Sequence, residues 1–210
     1  MKPLLSNWTI VLAGRWNMEI LNPEWVTNSI FGREKVDIDL VLQGMQANIR
    51  YRFDNLVFVP RPHNVVFSVN DTKDSSLLAI EEAAGRLLEA LPVTPITALG
   101  INFTYIEENP TTELLTVFNI DDASRIADYG MKIRSARVRR ELDFEDRQLN
   151  MMVSQIEDGS VRIALNYHLA VDETQVALSA LAGRLVHYRQ HGEAFLSAIY
   201  GLEIEGPADE

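Results

Sequence analysis

The sequence contains no cysteine, so disulfide bonds, thiol catalysis and cysteine-based metal sites are excluded together. This composition is compatible with a reducing compartment. The first apolar patch is interrupted by Ser6, Asn7 and Thr9, whereas a signal peptide needs a continuous apolar run. No stretch approaches the roughly 20 apolar residues that a membrane-spanning helix requires. We therefore expect a cytoplasmic protein without a membrane segment.

Motifs that identify common enzymes are missing as well. There is no Walker-type phosphate loop, no GxGxxG after a strand, and no GxSxG nucleophile elbow. Neither His63 nor His168 has a recognisable base, nucleophile or orienting partner in the sequence. Adjacent carboxylates such as Glu107-Glu108 are expected by chance among 30 acidic residues. We therefore expect no catalytic residues, no cofactor and no metal.

Basic residues are few in comparison with acidic ones. The 19 basic and 30 acidic side chains give a formal net charge of −11 at pH 7, and the resulting repulsion disfavours nucleic acid except at a local basic strand. Hydrophobic residues make up 47% of the chain, which is sufficient for a core. We predict a single α+β domain over residues 1–202 and an acidic, disordered tail over 203–210.

Alternating and β-branched segments predict a largely antiparallel sheet of about seven to eight strands. Val36 to Leu40 alternates between aliphatic side chains and aspartates, as in a strand with one wet face. Asp158-Gly159 joins two alternating segments and signals a hairpin. The predicted strands cover 8–20, 36–40, 46–59, 65–69, 97–106, 132–144, 148–156 and 161–169, and the third is either continuous or divided at Asp54-Asn55.

Two segments with helical periodicity predict long helices that back this sheet. The apolar stripe of the first consists of Leu77, Ile80, Ala84, Leu87 and Leu91. In the second, Asp172 and Gln175 resemble a capping box, and we expect the helix to end near Gln190. Gly192 is then predicted to separate it from a shorter helix over 193–200.

The order strand, turn, strand, helix occurs twice, and this suggests an internal duplication with pseudo-repeats at 36–91 and 132–190. Ala84-Gly85-Arg86-Leu87 matches Ala182-Gly183-Arg184-Leu185. Coincidence between two amphipathic helices explains the match equally well. Glycine inside a helix usually reflects the close approach of another element, so both glycines are predicted to lie at tight contacts.

Five basic residues fall close together in this acidic chain: Lys132, Arg134, Arg137, Arg139 and Arg140. On the predicted strand, Arg134 and Arg140 share one face, and Arg137 and Arg139 share the other. Such a strand is suited to binding a phosphate or an acidic partner. The alternative is internal pairing with carboxylates, either on the acidic strand that carries Asp37 and Asp39 or at the neighbouring Glu141, Asp143, Glu145 and Asp146.

Aromatic and polar residues on strands beside the helices suggest a small-molecule pocket between the sheet and the helices. Its predicted lining is Trp16, Trp25, Phe103, Tyr105, Tyr167 and His168. His187 and His191 are four residues apart on a helix, and together with Glu193 they could bind a metal ion. The alternative for the two histidines is a favourable interaction with the helix C-terminus.

These observations support three functional hypotheses. The leading one is a non-catalytic binding or assembly module that acts through its sheet and helix surfaces on a protein partner or on a second copy of itself. The second is a small-molecule-binding protein with the pocket described above. The third is a metal-dependent hydrolase that uses acidic residues with His168 or with the His187 and His191 pair. Ligand or partner contacts are predicted at Arg134, Arg137, Arg139, Arg140, His168, Tyr167, Trp16 and Tyr105.

Overall fold

The computed structural model describes residues 1–43, 46–119, 121–156 and 158–205. The strands are β1 (Lys2–Pro3), β2 (Thr9–Gly14), β3 (Asp37–Gln43), β4 (Gln46–Phe53), β5 (Leu56–Arg61), β6 (Asn64–Val69), β7 (Ile96–Glu107), β8 (Arg137–Phe144), β9 (Arg147–Gln155) and β10 (Val161–Ala170). The helices are α1 (Pro23–Trp25, continued by a π-helix over Val26–Phe31), α2 (Asp74–Ala90), α3 (Thr112–Leu115, continued by a 3₁₀ turn over Thr116–Phe118), α4 (Ala123–Asp128), α5 (Thr174–Leu181) and α6 (Leu185–Tyr200). A 3₁₀ turn over Leu5–Asn7 separates β1 from β2.

All ten strands belong to one antiparallel sheet in the order β3-β4-β5-β6-β2-β7-β10-β9-β8, with β1 paired to β7. The α+β class and the antiparallel sheet are confirmed, but the strands outnumber the seven or eight predicted. The segment 46–59 divides because Asp54 adopts a left-handed conformation (φ 50°) in a two-residue turn. The first predicted strand is limited to Thr9–Gly14, and the basic strand begins only at Arg137.

The hydrophobic core lies on one face of the sheet, beneath α2, α5 and α6. Alternate residues of each strand point to this face, so Ile10 and Leu12 are fully buried whereas Thr9 and Val11, which alternate with them, are only half-buried. Helix α2 buries the predicted stripe with Leu77, Ile80 and Leu87 among its members. We call the opposite side of the sheet the open face.

The break in the second helical segment lies at Gly183 and not at Gly192, which corrects the prediction. Gly183 adopts a positive φ of 70° between α5 and α6, a conformation that favours glycine. Glu81 of α2 then accepts hydrogen bonds from the backbone N–H groups of Gly183 (2.6 Å), Arg184 (3.0 Å) and Leu185 (2.9 Å). The carboxylate thus caps the start of α6, where these groups have no partner within the helix. The first predicted long helix is therefore α2, with 17 residues. The second is divided into two helices, α5 with 8 residues and α6 with 16.

Gly192 lies inside α6 because the helix rests closely on the sheet there. A Cβ atom on Gly192 would lie 2.7 Å from Leu165 Cδ1 and 3.2 Å from the Tyr167 hydroxyl. A Cβ on Gly85 of α2 would meet Leu178 at 3.4 Å, which is ordinary contact. The tight contact expected at Gly85 and Gly183 therefore occurs at Gly192 instead.

The hairpin of β3 and β4 leaves the rest of the sheet early. β4 pairs with β3 along its length but with β5 only from Tyr51 to Phe53. Continuing the register would place Ile49 opposite Pro60, whose nitrogen faces β4 and carries no hydrogen to donate. The ladder ends there, and Leu40 on β3 is 68% exposed.

Among the described residues, no helix is long and apolar enough to cross a membrane. The predicted disordered tail falls mostly on residues 206–210, which lie outside the described part of the chain. Its first residues are tied to the N-terminus, since the Met1 amino group donates to the Glu203 carbonyl (2.6 Å) and Glu205 N–H donates to the Met1 carbonyl (3.0 Å).

Candidate functional site on the open face of the sheet

One residue from each of nine strands lies in register across the open face, and only one of the nine is apolar. They are Asp37, Arg52, Val57, Ser68, Thr9, Asn102, Asn166, Asn150 and Glu141. Asparagine is depleted in strands because it does not pack well on a pleated surface, so three asparagines aligned on adjacent strands need an explanation. We call the part from Thr9 to Asn150, which comprises Thr9, Asn102, Asn166 and Asn150, the polar row.

Hydrogen bonds connect the members of the polar row from strand to strand. Asn102 Nδ2 donates to Thr9 Oγ1 (3.0 Å), and Asn166 Nδ2 donates to Asn102 Oδ1 (2.7 Å). Asn150 Nδ2 donates in turn to Asn166 Oδ1 (3.2 Å). Arg139 completes the series by donating to Asn150 Oδ1 (3.3 Å). The three asparagine amides therefore have the same orientation along the row. Each has a second N–H and a second carbonyl lone pair that could bind a ligand.

The polar row forms the floor of a cavity of about 670 Å³. Its lining includes Ser6 and Asn7 on one side and Arg139, Gln148 and His168 on the other. The shape arises because the 3₁₀ turn over Leu5–Asn7 rises from the sheet beside Thr104, whose carbonyl accepts a hydrogen bond from Leu4 N–H (2.8 Å). This is a concave, hydrogen-bonding surface on a rigid sheet.

Cationic side chains occupy the corner of the open face beside this cavity. Arg137, Ser154 and Arg162 lie in register on β8, β9 and β10, and both arginines are exposed. Neither arginine forms an ion pair within the described residues, whereas Arg139 pairs with Glu141 (2.7 Å). Of these residues, Arg137 and Arg139 were identified from the sequence, and the structure adds Arg162 from a different strand.

The other predicted basic residues are dispersed. Arg134 and Lys132 are exposed in the segment before β8, so Arg134 does not share a strand face with Arg140 as predicted. Arg140 points to the helix side of the sheet and donates to the Tyr200 hydroxyl (3.0 Å). Asp37 and Asp39 are at the opposite edge of the sheet from β8, so they do not pair with the basic strand. Of the internal pairs considered above, the structure contains the one between Arg139 and Glu141.

The predicted aromatic pocket does not assemble as one lining. Tyr105, Tyr167 and Trp16 are buried in the core, and the Trp16 indole N–H donates to the Leu12 carbonyl (3.1 Å). His168 follows Tyr167 along β10 and therefore points to the open face, where it lines the cavity.

Beneath α6, two of the predicted tyrosines contact titratable side chains. The Tyr105 hydroxyl donates to Glu193 (3.4 Å), and the Tyr167 hydroxyl lies 2.8 Å from His191 Nδ1. Burial raises the pKa of both tyrosines, so neither ionises under ordinary conditions. Burial also lowers the pKa of His191 and raises that of Glu193, against the effect of Arg189 on the carboxylate. These groups serve the packing of α6 on the sheet.

His187 and His191 each have a partner in the protein. His187 Nε2 lies 3.2 Å from Glu145 Oε1, and the His191 ring stacks on Phe144 with centroids 3.7 Å apart. Glu193 is engaged with Tyr105 rather than with either imidazole. Among the described residues, no group of three or more histidine, aspartate or glutamate side chains is arranged to hold a metal ion.

The polar row is the part of the site that sequence reasoning missed. Its signal was present as single asparagines inside three predicted strands, at Asn102, Asn150 and Asn166. No protein-family model matches the chain, and a search of curated proteins gave no significant match.

Proposed function

We propose that this chain is a non-catalytic binding module whose open face receives a polar, acidic segment of a partner protein. The observation that carries the proposal is the polar row at the floor of a cavity, beside Arg137 and Arg162, which form no ion pair within the described part of the chain. We expect the protein to act in the cytoplasm, without a membrane.

The chemistry of the polar row matches that of a peptide. An asparagine side chain is an amide, so it pairs with a backbone peptide group through one donor and one acceptor. The aligned amides present this pairing on successive strands at the spacing of a sheet, about 4.8 Å. Ser6, Asn7 and Gln148 add further polar groups along the walls.

The arginines supply the preference for acidic groups. A guanidinium binds a carboxylate through two parallel hydrogen bonds and does so more strongly than a neutral donor. Arg137 and Arg162 are two strands apart, which corresponds to roughly 10 Å between backbones. They would engage two separate carboxylates of one segment. Among the described residues, no Phe, Tyr or Trp lines the cavity, which disfavours single-stranded nucleic acid bound by stacking on these side chains.

Binding of acidic peptides to structure-based variants tests the proposal. The probe is a set of fluorescent ten-residue peptides rich in asparagine, glutamine, aspartate and glutamate, with matched lysine-rich peptides, and the readout is fluorescence anisotropy. We expect acidic peptides to bind and Arg162→Glu or Asn166→Ala to weaken binding about tenfold, a loss of one or two good hydrogen bonds. The control is Arg61→Glu, an exposed charge on the other half of the sheet. Equal binding to all variants, or to lysine-rich peptides, would contradict the proposal.

A small molecule is the second candidate ligand, because the cavity of about 670 Å³ falls within the size of ligand pockets. It would occupy the open face and not the interior below the helices. Thermal shifts with a panel of small dicarboxylates and phosphorylated sugars, in the wild type and Asn166→Ala, distinguish the two. A shift that saturates with a small anion and vanishes in the variant favours this second candidate over the peptide.

We also propose that the two halves arose by duplication, as an extension of the repeat seen in the sequence. The central strands β2 and β7 are adjacent, and each leads through short helices to strands that end beside it, β6 and β10. Helices then follow on the same face in both halves. The matched Gly85 and Gly183 do not support the proposal, since only the first is inside a helix. Sequences from related organisms test it, because residual similarity between the halves should exceed that of shuffled segments.

A further inference from the structure

Strand β8 forms one edge of the sheet, and its outer side has no backbone hydrogen bond within the described residues. Phe144 and Arg147 close the hairpin with β9, and Gln155 N–H donates to the Ala136 carbonyl (3.0 Å) at its other end. Hydrogen-bonded positions alternate along an antiparallel strand, so the even-numbered residues of β8 bond to β9. The N–H and C=O groups of Arg137, Arg139, Glu141 and Asp143 consequently point outward.

The same four outward-facing residues reverse their charge halfway along the strand. On the open face, Arg137 and Arg139 come first and Glu141 and Asp143 follow. These side chains are well exposed, with 61% of Arg139 and 54% of Glu141 accessible. A strand with this pattern is complementary to its own antiparallel copy.

We infer that β8 pairs with β8 of a second copy of this chain about a twofold axis, joining the two sheets edge to edge. In the register centred on Arg140, Arg137 lies opposite the partner's Asp143, and Arg139 lies opposite the partner's Glu141. Opposite charges at directly facing positions stabilise an antiparallel pair. On the helix side, Val138 faces the partner's Leu142. Each contact occurs twice, as in an isologous interface.

The hydrogen-bonding pattern and the charges select this register together. A shift by one residue would place outward-pointing groups opposite inward-pointing ones, so the ladder would not form. A shift by two residues in one direction places Arg139 opposite its own copy. The same shift in the other direction places Glu141 opposite its own copy. Like charges at facing positions destabilise the pair, and each shifted register keeps only two opposite-charge pairs on the open face. The register centred on Arg140 has four such pairs there, and its one like-charge pair, Arg140 with its copy, lies on the helix side.

Arg140 itself meets its copy on the helix side of this interface. Its guanidinium is directed toward α6 by the hydrogen bond to the Tyr200 hydroxyl (3.0 Å), away from the edge. This hydrogen bond would hold the two guanidinium groups toward their own helices and so lessen the repulsion between them. The two open faces form one continuous surface in the dimer, with the two cavities on either side of the axis.

The inference is tested with variants that reverse charges on β8. Sedimentation velocity over a range of protein concentrations, without any ligand, measures how strongly each variant dimerises. We expect a monomer–dimer equilibrium that weakens about tenfold in Arg139→Glu or Glu141→Arg, because each change creates two like-charge pairs across the axis. The double variant Arg139→Glu with Glu141→Arg restores complementarity and should dimerise as the wild type does. Arg61→Glu is the control for a change of net charge. A strictly monomeric wild type, or dimers insensitive to these changes, would overturn the inference.

The register is tested separately by cysteine cross-linking, which is clean here because the chain has no cysteine of its own. Facing positions without a hydrogen bond bring Cβ atoms within about 4.5–5.5 Å, close enough for a disulfide. Arg140→Cys should cross-link to itself under mild oxidation. Val138→Cys should cross-link only when mixed with Leu142→Cys. Cross-linking of Val138→Cys alone would reject this register, and circular dichroism of each variant verifies that it is folded.

Discussion

The hydroxyl group of Tyr167 lies 2.8 Å from Nδ1 of His191, joining the central strand β10 to helix α6 beneath the helix surface. Phe144 stacks on the same imidazole, so His191 is enclosed by two aromatic rings. An imidazolium would lose part of its hydration here and would repel the nearby His187 if that residue were charged. The fold therefore favours the neutral form of His191.

A pH dependence of stability follows from His191. Burial lowers its pKa below the ordinary value of 6.5, so the unfolded chain binds the proton more readily than the folded chain. The stabilising contribution is thus fully present above pH 6.5 and is lost as pH falls through the folded-state pKa. Urea unfolding between pH 5 and pH 8 should show this decline, reduced in His191→Gln. His63→Gln, in the exposed turn between β5 and β6, is the control and should retain it.

The Glu193 carboxyl changes the stability with pH in the opposite direction. A separate variant distinguishes its effect from that of His191. Burial raises the pKa of this carboxyl, so its contribution to stability is present at low pH and is lost as pH rises through the folded-state pKa. Glu193→Gln keeps a partner for the Tyr105 hydroxyl and removes the buried charge. We expect this variant to unfold at a temperature equal to or above that of the wild type at pH 7. A marked loss of stability there would show that the charge pair with Arg189 outweighs burial.

The cap that Glu81 forms on α6 can be tested by substitution, and the adjacent Glu82 provides the control. Glu81→Ala leaves the N–H groups of Gly183 and Leu185 without their acceptor, whereas Arg184 N–H keeps the Leu181 carbonyl (3.1 Å), and the change should cost about 1–3 kcal/mol in the free energy of unfolding. Hydrogen exchange at residues 183–185 should accelerate. The adjacent Glu82 is 65% exposed and pairs with Arg86, so Glu82→Ala should change stability by less than about 1 kcal/mol. Equal effects of the two substitutions would argue against the cap.

Gly192 and Gly85 form a second matched pair. Gly192→Ala should destabilise the protein by about 1–3 kcal/mol, because its methyl group would press on Leu165 and Tyr167 in a packed core. Gly85→Ala has room for the methyl group and should stabilise α2 by up to about 1 kcal/mol. Thermal unfolding of both variants checks the difference in sign, and a stabilising Gly192→Ala would mean that α6 moves outward at little cost.

Arg147 is a buried cation. We expect the loss of stability on replacing it to depend on the volume of the new side chain more than on its charge. Its side chain is only 1% accessible, it lies over the Tyr188 ring at 5.0 Å, and it donates to the Ala180 carbonyl. Its Nε and Nη1 atoms have no hydrogen-bond partner among the described residues. Arg147→Met should therefore be nearly neutral, whereas Arg147→Ala should cost about 2–4 kcal/mol through the cavity it leaves. Denaturant unfolding of both variants measures this.

Local patterns predicted much of the fold. The alternation in Val36 to Leu40 and the Asp158-Gly159 turn both correspond to observed strands, and the stripe that includes Leu77 corresponds to α2. The end of the second helix was misplaced because the conformation of Gly183 and the close approach at Gly192 depend on residues distant in sequence. Glu81 is about a hundred positions from the groups that it caps.

The candidate site was harder to predict from the sequence, because it depends on strand register. Arg139 and His168 were identified as polar residues on strands, and both line the cavity. Nothing local indicates that Asn102, Asn150 and Asn166 lie side by side, since the loops between their strands set the alignment. Tyr105 and Tyr167 were selected for their chemistry, and the alternation of their strands places them in the core.

Pro60 ends the ladder between β4 and β5, and this makes the two edges of the sheet unequal. The edge at β3 belongs to a hairpin that diverges from the sheet and carries Asp37 and Asp39, both of which oppose the addition of further strands. The twofold pairing inferred above would occupy the other edge, at β8. By ending the β4–β5 ladder, Pro60 would then help to limit edge-to-edge association to two copies and to oppose the growth of a fibril.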